Sequence, residues 1–404
     1  MNGIDGTLAT GARAVSVPGL ASRSGATVDI GLIRSRAEID AIAPDWEALQ
    51  AEVGGSVVFQ SLGWCRAVFD FETGRANAAF EPVIVTLRKR GVLRALFAFQ
   101  RVHTRTRRVL VPLGDTFQQY ADFLCAEEVD PREAMRKIVW AALSAMPSDV
   151  VSLLKVRADS KLEAGMPGNA IKTATSEGAP FVTLSAWTGF EDYFQSIKPK
   201  TRKNMRNARN RLEREGVLEH LVAATPAEKL GIISRTLAGR AERLKDQGLT
   251  SRAFATTDFA DFCTSLAARP DNDLGLLAMS LRHNGEPIAE QWGFVSGGHY
   301  YAYVASRDFG QSEESPGKLH LKEVIETCFA RGLSTADLLV PVMPYKLTWA
   351  KDVMTVTDYA VPVTPKGFVV IAIWDRLLRP MAKRVVLGMP KGPRALVMRV
   401  MGRG

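Results

Sequence analysis

Apolar and polar positions along this chain switch repeatedly between a two-residue and a 3.6-residue period. From Val28 the stretch VDIGLIRS predicts a strand, and Ala37–Glu52 predicts a helix with Trp46 and Leu49 on its apolar side. A second helix is expected at Leu62–Phe71, followed by extended segments at EPVIVTLRK, VLRALFAFQRV, RRVLVPLG and QYADFLCA. Pro131 suits a first helical turn and opens a helix to about Met146; VVSLLKV then reads as a buried strand.

After a stretch rich in Gly, Ala, Ser and Thr at Ala158–Ala179, a similar order returns. FVTLS predicts a strand and Glu191–Ser196 a helix, which Pro199 interrupts before Thr201–Glu215 resumes it. Helices at Pro226–Gln247 and Thr257–Ala268 precede three strands, GLLAMSLRH, PIAEQWGFV and HYYAYVASR. Asn284–Gly285 and Gly297–Gly298 between them are strong hairpin turns. A helix at Pro316–Arg331, the strand TADLLV and the strand VTDYAVPV close the pattern. Residues 28–157 and 180–363 therefore read as two α/β units with the same order of elements. They lie between a small, polar leader expected to be disordered (residues 1–27) and a C-terminal arm (residues 366–404).

Composition narrows the class. The 404 residues are 46% hydrophobic and 24% charged, an ordinary globular balance. The longest apolar runs, such as Phe368–Trp374, are too short to span a membrane, and the N-terminal stretch lacks the apolar core of a signal peptide. Four scattered cysteines suit a reducing cytoplasm better than a disulfide framework, and the five histidines show no metal-ligand spacing. The net charge of +9 is unevenly spread: residues 88–108 carry +8, residues 198–214 carry +7 and residues 366–404 carry +8. The rest of the chain is acidic, so the balance does not describe a general nucleic-acid binder. No base-stacking aromatics interleave the basic run at 198–214, which disfavours specific nucleic-acid reading.

Four places could carry chemistry. Ser315, Pro316, Gly317 and Lys318 make a well-formed helix start, with an N-cap, a first-turn proline and a glycine that leaves the backbone open. Such an end presents free N–H groups to an anion, and Lys318 adds charge. In the basic helix from Lys198, Arg202, Arg206 and Arg209 lie on one face, while Met205, Ala208 and Leu212 turn inward. An arginine row of this kind suits phosphate or carboxylate. Tyr345 could protonate a leaving group, and Lys346 could hold an anionic part of a substrate. Glu290 shares a strand face with Trp292 and Phe294, where apolar neighbours would favour its protonated form and suit it to general-base work.

These segments together resemble GNAT-fold acyltransferases of the CelD/BcsL group, associated with bacterial exopolysaccharide synthesis, and more distantly the FemABX transferases, which duplicate that fold. The resemblance rests on Val58-Phe59-Gln60-Ser61 with Trp64, the basic helix from Lys200, the Ser315–Lys318 helix start, and Asp337 with Tyr345, Lys346 and Trp349. It implies an α/β fold of mixed sheets with two tandem GNAT-like halves. It also implies acyl transfer from acetyl-CoA or another acyl-CoA to an amino sugar or related envelope precursor, free or lipid-linked. By that likeness Gln311, Ser315, Gly317 and Lys318 would hold the CoA pyrophosphate, although the usual glycine-rich signature is reduced to Gln311 and Gly317. Gln60, Trp64, Asp122, Arg202, Arg206, Asp337 and Lys346 would line the acceptor cleft. Direct attack by an amine deprotonated by Glu290, with backbone N–H groups polarising the carbonyl and Tyr345 protonating the thiolate, needs no metal and no covalent enzyme intermediate.

Two other functions fit parts of the pattern. The basic runs would suit a FemABX-like transferase using aminoacyl-tRNA, though the long helical hairpin usual in such relatives is missing. A degenerate module sensing a nucleotide second messenger would use the arm. The arm mixes apolar residues with Arg376, Arg379, Lys383 and Arg384, a composition that also suits an anionic membrane surface. The expected location is cytoplasmic, with peripheral attachment to the inner face of the membrane through that arm.

Overall fold

The computed structural model describes residues 28–54, 58–173, 177–246, 252–254, 256–270, 274–307, 316–373 and 381. The leader, Gln311, Ser315 and most of the arm lie outside the described residues.

In the first half, β1 (Val28–Ile33) leads into α1 (Arg36–Ala41) and α2 (Ala43–Val53). The single helix expected here divides at Ile42, beside Pro44, which enters α2 in its first turn. Then come α3 (Leu62–Gly74), β2 (Glu81–Lys89), β3 (Val92–His103), β4 (Arg108–Pro112), the short β5 (Leu124–Cys125), α4 (Pro131–Ala145) and β6 (Val150–Arg157). Between the halves lie α5 (Lys161–Ala164) and β7 (Ile171–Lys172). The second half comprises β8 (Glu177–Thr183), α6 (Phe190–Gln195), α7 (Pro199–Glu215), β9 (Leu218–Val222), α8 (Pro226–Asp246) and α9 (Asp258–Ser265). It continues with β10 (Leu276–His283), β11 (Glu286–Ser296), β12 (His299–Arg307), α10 (Pro316–Ala330), β13 (Thr335–Asp337) and β14 (Asp352–Pro362); α11 (Pro365–Val370) follows.

All strands join one mixed sheet, ordered β1-β2-β3-β4-β6-β14-β8-β13-β12-β11-β10-β9, with β5 beside β3 and β7 beside β14. The seam is β14, antiparallel to β6 on one side and to β8 on the other. Each half contains an antiparallel meander, a crossing helix and a strand parallel to the last of the meander. In the first half these are β2-β3-β4, α4 and β6; in the second, β10-β11-β12, α10 and β13. Asn284 and Gly285 adopt φ of 53° and 83°, and Gly297 and Gly298 55° and 77°, as two-residue hairpin turns require.

The sheet of the second half separates two cores. Met279, Ala289 and Tyr300 pack with Leu319, Val324 and Ile325 of α10 on one face. Ala278, Trp292, Phe294 and Tyr303 pack with Ile232, Ile233 and Leu237 of α8 and Phe262 of α9 on the other. Three of the basic residues in the run at 88–108 pair with neighbouring acids. Arg88 pairs with Asp45, Arg94 with Glu52 and Glu128, and Arg101 with Glu81.

Candidate active site

The halves share a topology but treat the space beside their parallel strands differently. In the first half β4 and β6 pair at Val109–Val150 and Leu110–Val151. Beyond that the chain fills the space itself. Lys155 Nζ donates to the Gln118 carbonyl and to Gln119 Oε1, both at 3.2 Å, and Ala121 N donates to the Lys155 carbonyl at 3.3 Å. Ala121 bridges to Val156, and Phe117, Tyr120 and Ala121 are buried.

In the second half β12 and β13 pair from His299–Thr335 to Tyr301–Asp337, and there the pairing stops. β12 runs on to Arg307. Strand TADLLV was expected to extend to Val340, but it ends at Asp337. Leu339 takes a φ of +57° and the chain turns away; the Val340–Pro341 peptide is cis. Lys346 follows it, donating from Nζ to the carbonyls of Leu339 at 2.8 Å and Pro341 at 3.0 Å. Among the described residues, none pairs as a strand with residues 302–307 on the side β13 has left. α10 opens beside this parting with Pro316, Gly317 and an exposed Lys318.

Glu290 sits on the α8 face of β11 with no exposed surface. It is not the free carboxylate among apolar groups that its neighbours Trp292 and Phe294 suggest. Arg235 of α8 grips both oxygens, with Nη2 2.7 Å from Oε1 and Nε 3.0 Å from Oε2. A base must offer a lone pair to the acceptor, and this one is committed to a guanidinium. Arg235 is 41% exposed and carries the polarity of the pair to the surface. Ser280 and Ser306 flank Glu290 in register; their buried hydroxyls have no hydrogen-bond partner among the described residues. Ser306 belongs to the part of β12 that β13 has left.

Asp337 is 1% exposed and joins the halves. It accepts from Tyr120 Oη at 3.0 Å, Arg157 Nη1 at 2.5 Å and Leu339 N at 2.8 Å. Burial pushes its pKa up, against the pull of Arg157. Arg157 also forks onto Asp159 with two bonds of 2.9 Å. With its acceptor sites filled, Asp337 is a cross-link rather than a substrate ligand. Trp64 is likewise fully buried, edge-on to Phe59, Phe262 and Phe294, and belongs to the core. Gln60 is 4% exposed.

Asp122 is half-buried and accepts from Phe123 N and Leu162 N, both at 2.9 Å. Burial pushes its pKa up to about 7 against those two hydrogen bonds. In α7, Arg209 pairs with Glu213 and with Glu323 of α10, whereas Arg202 and Arg206 pair with no acid among the described residues. Tyr345 is 39% exposed in the loop after β13. Lys346 is instead 7% exposed and spends two donors on backbone; burial, with Arg240 nearby, brings its pKa down to about 8. Arg235 and Arg240 escaped the sequence reading. The signal was there: Ile232, Ile233, Thr236 and Leu237 form the buried stripe of α8, and Arg240 follows Thr236 at i+4 as an exposed position at its end. Among the described residues no group of His, Cys, Asp or Glu could hold a metal ion, and no helix is long and apolar enough to cross a membrane.

Residues 199–347 match the family model described as an acetyltransferase (GNAT) domain. No curated protein matches the chain. Among solved structures the fold is similar to a conserved protein of unknown function from Bacteroides thetaiotaomicron, 13% identical, covering 79% of this chain and 97% of that one at a TM-score of 0.52. It is also similar to FemX, 9% identical, covering 84% of this chain and 99% of that one at a TM-score of 0.55. The chain thus has a mixed α/β fold like those structures, and the stretch that matches the GNAT model lies in its second half.

Proposed function

We propose that this protein is an acyl-CoA-dependent N-acyltransferase of the CelD/BcsL kind, acting on an amino sugar or another envelope precursor. The observation that carries this reading is the parting of β12 from β13 beside the N-terminus of α10, set against the filled space in the first half. An extended thioester arm needs a slot with unpaired strand backbone along one side, and only the second half offers one among the described residues.

The residues at the slot fit such a co-substrate. Gly317 carries no side chain at the helix start, Lys318 is exposed beside it, and first-turn N–H groups suit a pyrophosphate. Backbone N–H groups of β12 beyond Tyr301 would polarise the thioester carbonyl. The acceptor amine attacks as the free base and passes its proton to water at the open mouth. Glu290 acts at one remove by holding Arg235 in place. Tyr345 protonates the departing thiolate, so one C–N bond forms, one C–S bond breaks and no enzyme-bound intermediate arises.

The test is calorimetry of CoA with the full chain, together with release of free thiol from acetyl-CoA on adding amino sugars. Binding that weakens about tenfold in Lys318→Ala supports the reading; absence of CoA binding in the wild type removes it.

A further inference from the structure

Arg240 of α8 has no acidic partner among the described residues. The rotation of α8 is fixed by the Arg235–Glu290 pair and by Trp292 Nε1 donating to Thr236 Oγ1 at 2.9 Å. Arg240, four residues beyond Thr236, therefore follows the packed face along the part of α8 that passes β12, with its side chain exposed. It lies within electrostatic reach of Tyr303 on β12, of Tyr345 in the loop after β13, and of Arg243; Lys346 feels it in turn. Arg240 makes no hydrogen bond or ion pair among the described residues. Arg157, Arg209 and Arg235, the other arginines of this region with assigned contacts, each hold a carboxylate.

We propose that Arg240 is the anion-binding residue of the acceptor site, and that the acceptor presents a phosphate there with an apolar chain against Val342, Met343 and Leu347. Three observations converge on it. First, Arg240 and the buried Lys346 ammonium repel each other, and an anion between them relieves that repulsion. Lys346 keeps one N–H beyond the two it gives to Leu339 and Pro341, so a phosphate dianion matches the pair better than a single carboxylate. Second, α8 and α10 cover opposite faces of the sheet. The anion at Arg240 is thus separate from one at the start of α10, which places it on the acceptor rather than on the acyl donor. Third, Val342, Met343 and Leu347 are 38%, 41% and 44% exposed on the loop that carries Tyr345 and Lys346. Apolar side chains beside a cationic site suit an amphiphile.

Assigning this phosphate to an acceptor rests on the acyl-transfer reading; the site itself does not. The test is calorimetry on the full chain with three probes: dihexanoyl phosphatidic acid below its micelle concentration, glucosamine 6-phosphate, and dihexanoyl phosphatidylcholine. The expected order of affinity follows that sequence. Arg240→Ala should weaken the first two by about tenfold or more, and Arg240→Lys by less, because ammonium keeps the charge without the fork. Leu347→Ser should weaken phosphatidic acid alone. Arg240 is an exposed helical position, so alanine there preserves the helix. CoA affinity should be the same in Arg240→Ala as in the wild type. Unchanged glucosamine 6-phosphate binding in Arg240→Ala, or none in the wild type at about 10 mM, overturns the phosphate site. Phosphatidic acid binding no tighter than glucosamine 6-phosphate overturns the apolar part. Loss of CoA binding with phosphate binding retained removes the acyl-transfer reading and leaves the phosphate site standing.

Discussion

Arg157 at the end of β6 holds Asp337 at the end of β13, with Nη1 2.5 Å from Oδ2, so the last residues of two parallel-paired strands, one from each half, are tied together. Tyr120 completes the contact, with its ring under the guanidinium and its hydroxyl on the carboxylate. The tie lies where β12 and β13 part, and so fixes the root of the slot against the first half.

Breaking one side of that tie should be costly. Asp337→Ala leaves Arg157 with Asp159 alone and strands Tyr120 Oη, and should lower unfolding free energy by about 3 kcal/mol. Pairing it with Arg157→Met should recover part of the loss. Urea unfolding of the two variants decides this; equal losses would show that the carboxylate and guanidinium do not act as a pair.

Glu290→Gln should reduce kcat by a similar factor at every pH, because its effect runs through the placement of Arg235. Arg235→Ala should reproduce the defect. If Glu290→Gln instead abolished the acidic limb of the pH–rate profile, Glu290 would be the base after all.

Asp122 has a testable linkage. Its folded pKa of about 7 exceeds the ordinary 3.8, so the folded state holds the proton more tightly than the unfolded chain does. The stability it contributes is fully present below about pH 4 and is lost as pH rises through 7. The difference in unfolding free energy between wild type and Asp122→Asn should therefore shift against the wild type across that window, by about 2 kcal/mol or more. A flat difference would mean that Asp122 titrates normally.

Phe368, Val369 and Ile373 are 54%, 52% and 49% exposed where the arm begins, ahead of a run rich in Lys and Arg. The full chain should sediment with vesicles containing anionic lipid and lose that binding at high salt, with Phe368→Asp weakening it. Equal binding to neutral vesicles would remove the charge from the account.

The elements were legible because they depend on local signals. Pro131, Pro199 and Pro316 start helices, the two hairpin turns sit at Asn-Gly and Gly-Gly, and period-two alternation marks the meander of β10, β11 and β12. Those patterns also expose a repeated order of strands and helices, and hence the α/β class. The site was legible only in part. A helix start such as Pro316-Gly317-Lys318 declares its own chemistry, because the donors belong to the helix end itself.

Tertiary structure alone decided what each charged group faces. Glu290 looks free in sequence, since its partner Arg235 lies 55 residues away on a helix covering the same sheet face. Asp337 looks like a cleft residue until Tyr120 and Arg157 arrive from the other half. Lys346 looks wholly free in sequence, yet the carbonyls of Leu339 and Pro341 take two of its three N–H groups. Arg240, unremarked in sequence, joins Arg202 and Arg206 as a cation with no acidic partner among the described residues. Periodicity records which face a side chain takes; whether that face meets a counter-charge is set by contacts such as Glu290–Arg235 and Asp337–Arg157, which join separate elements and which no local pattern encodes.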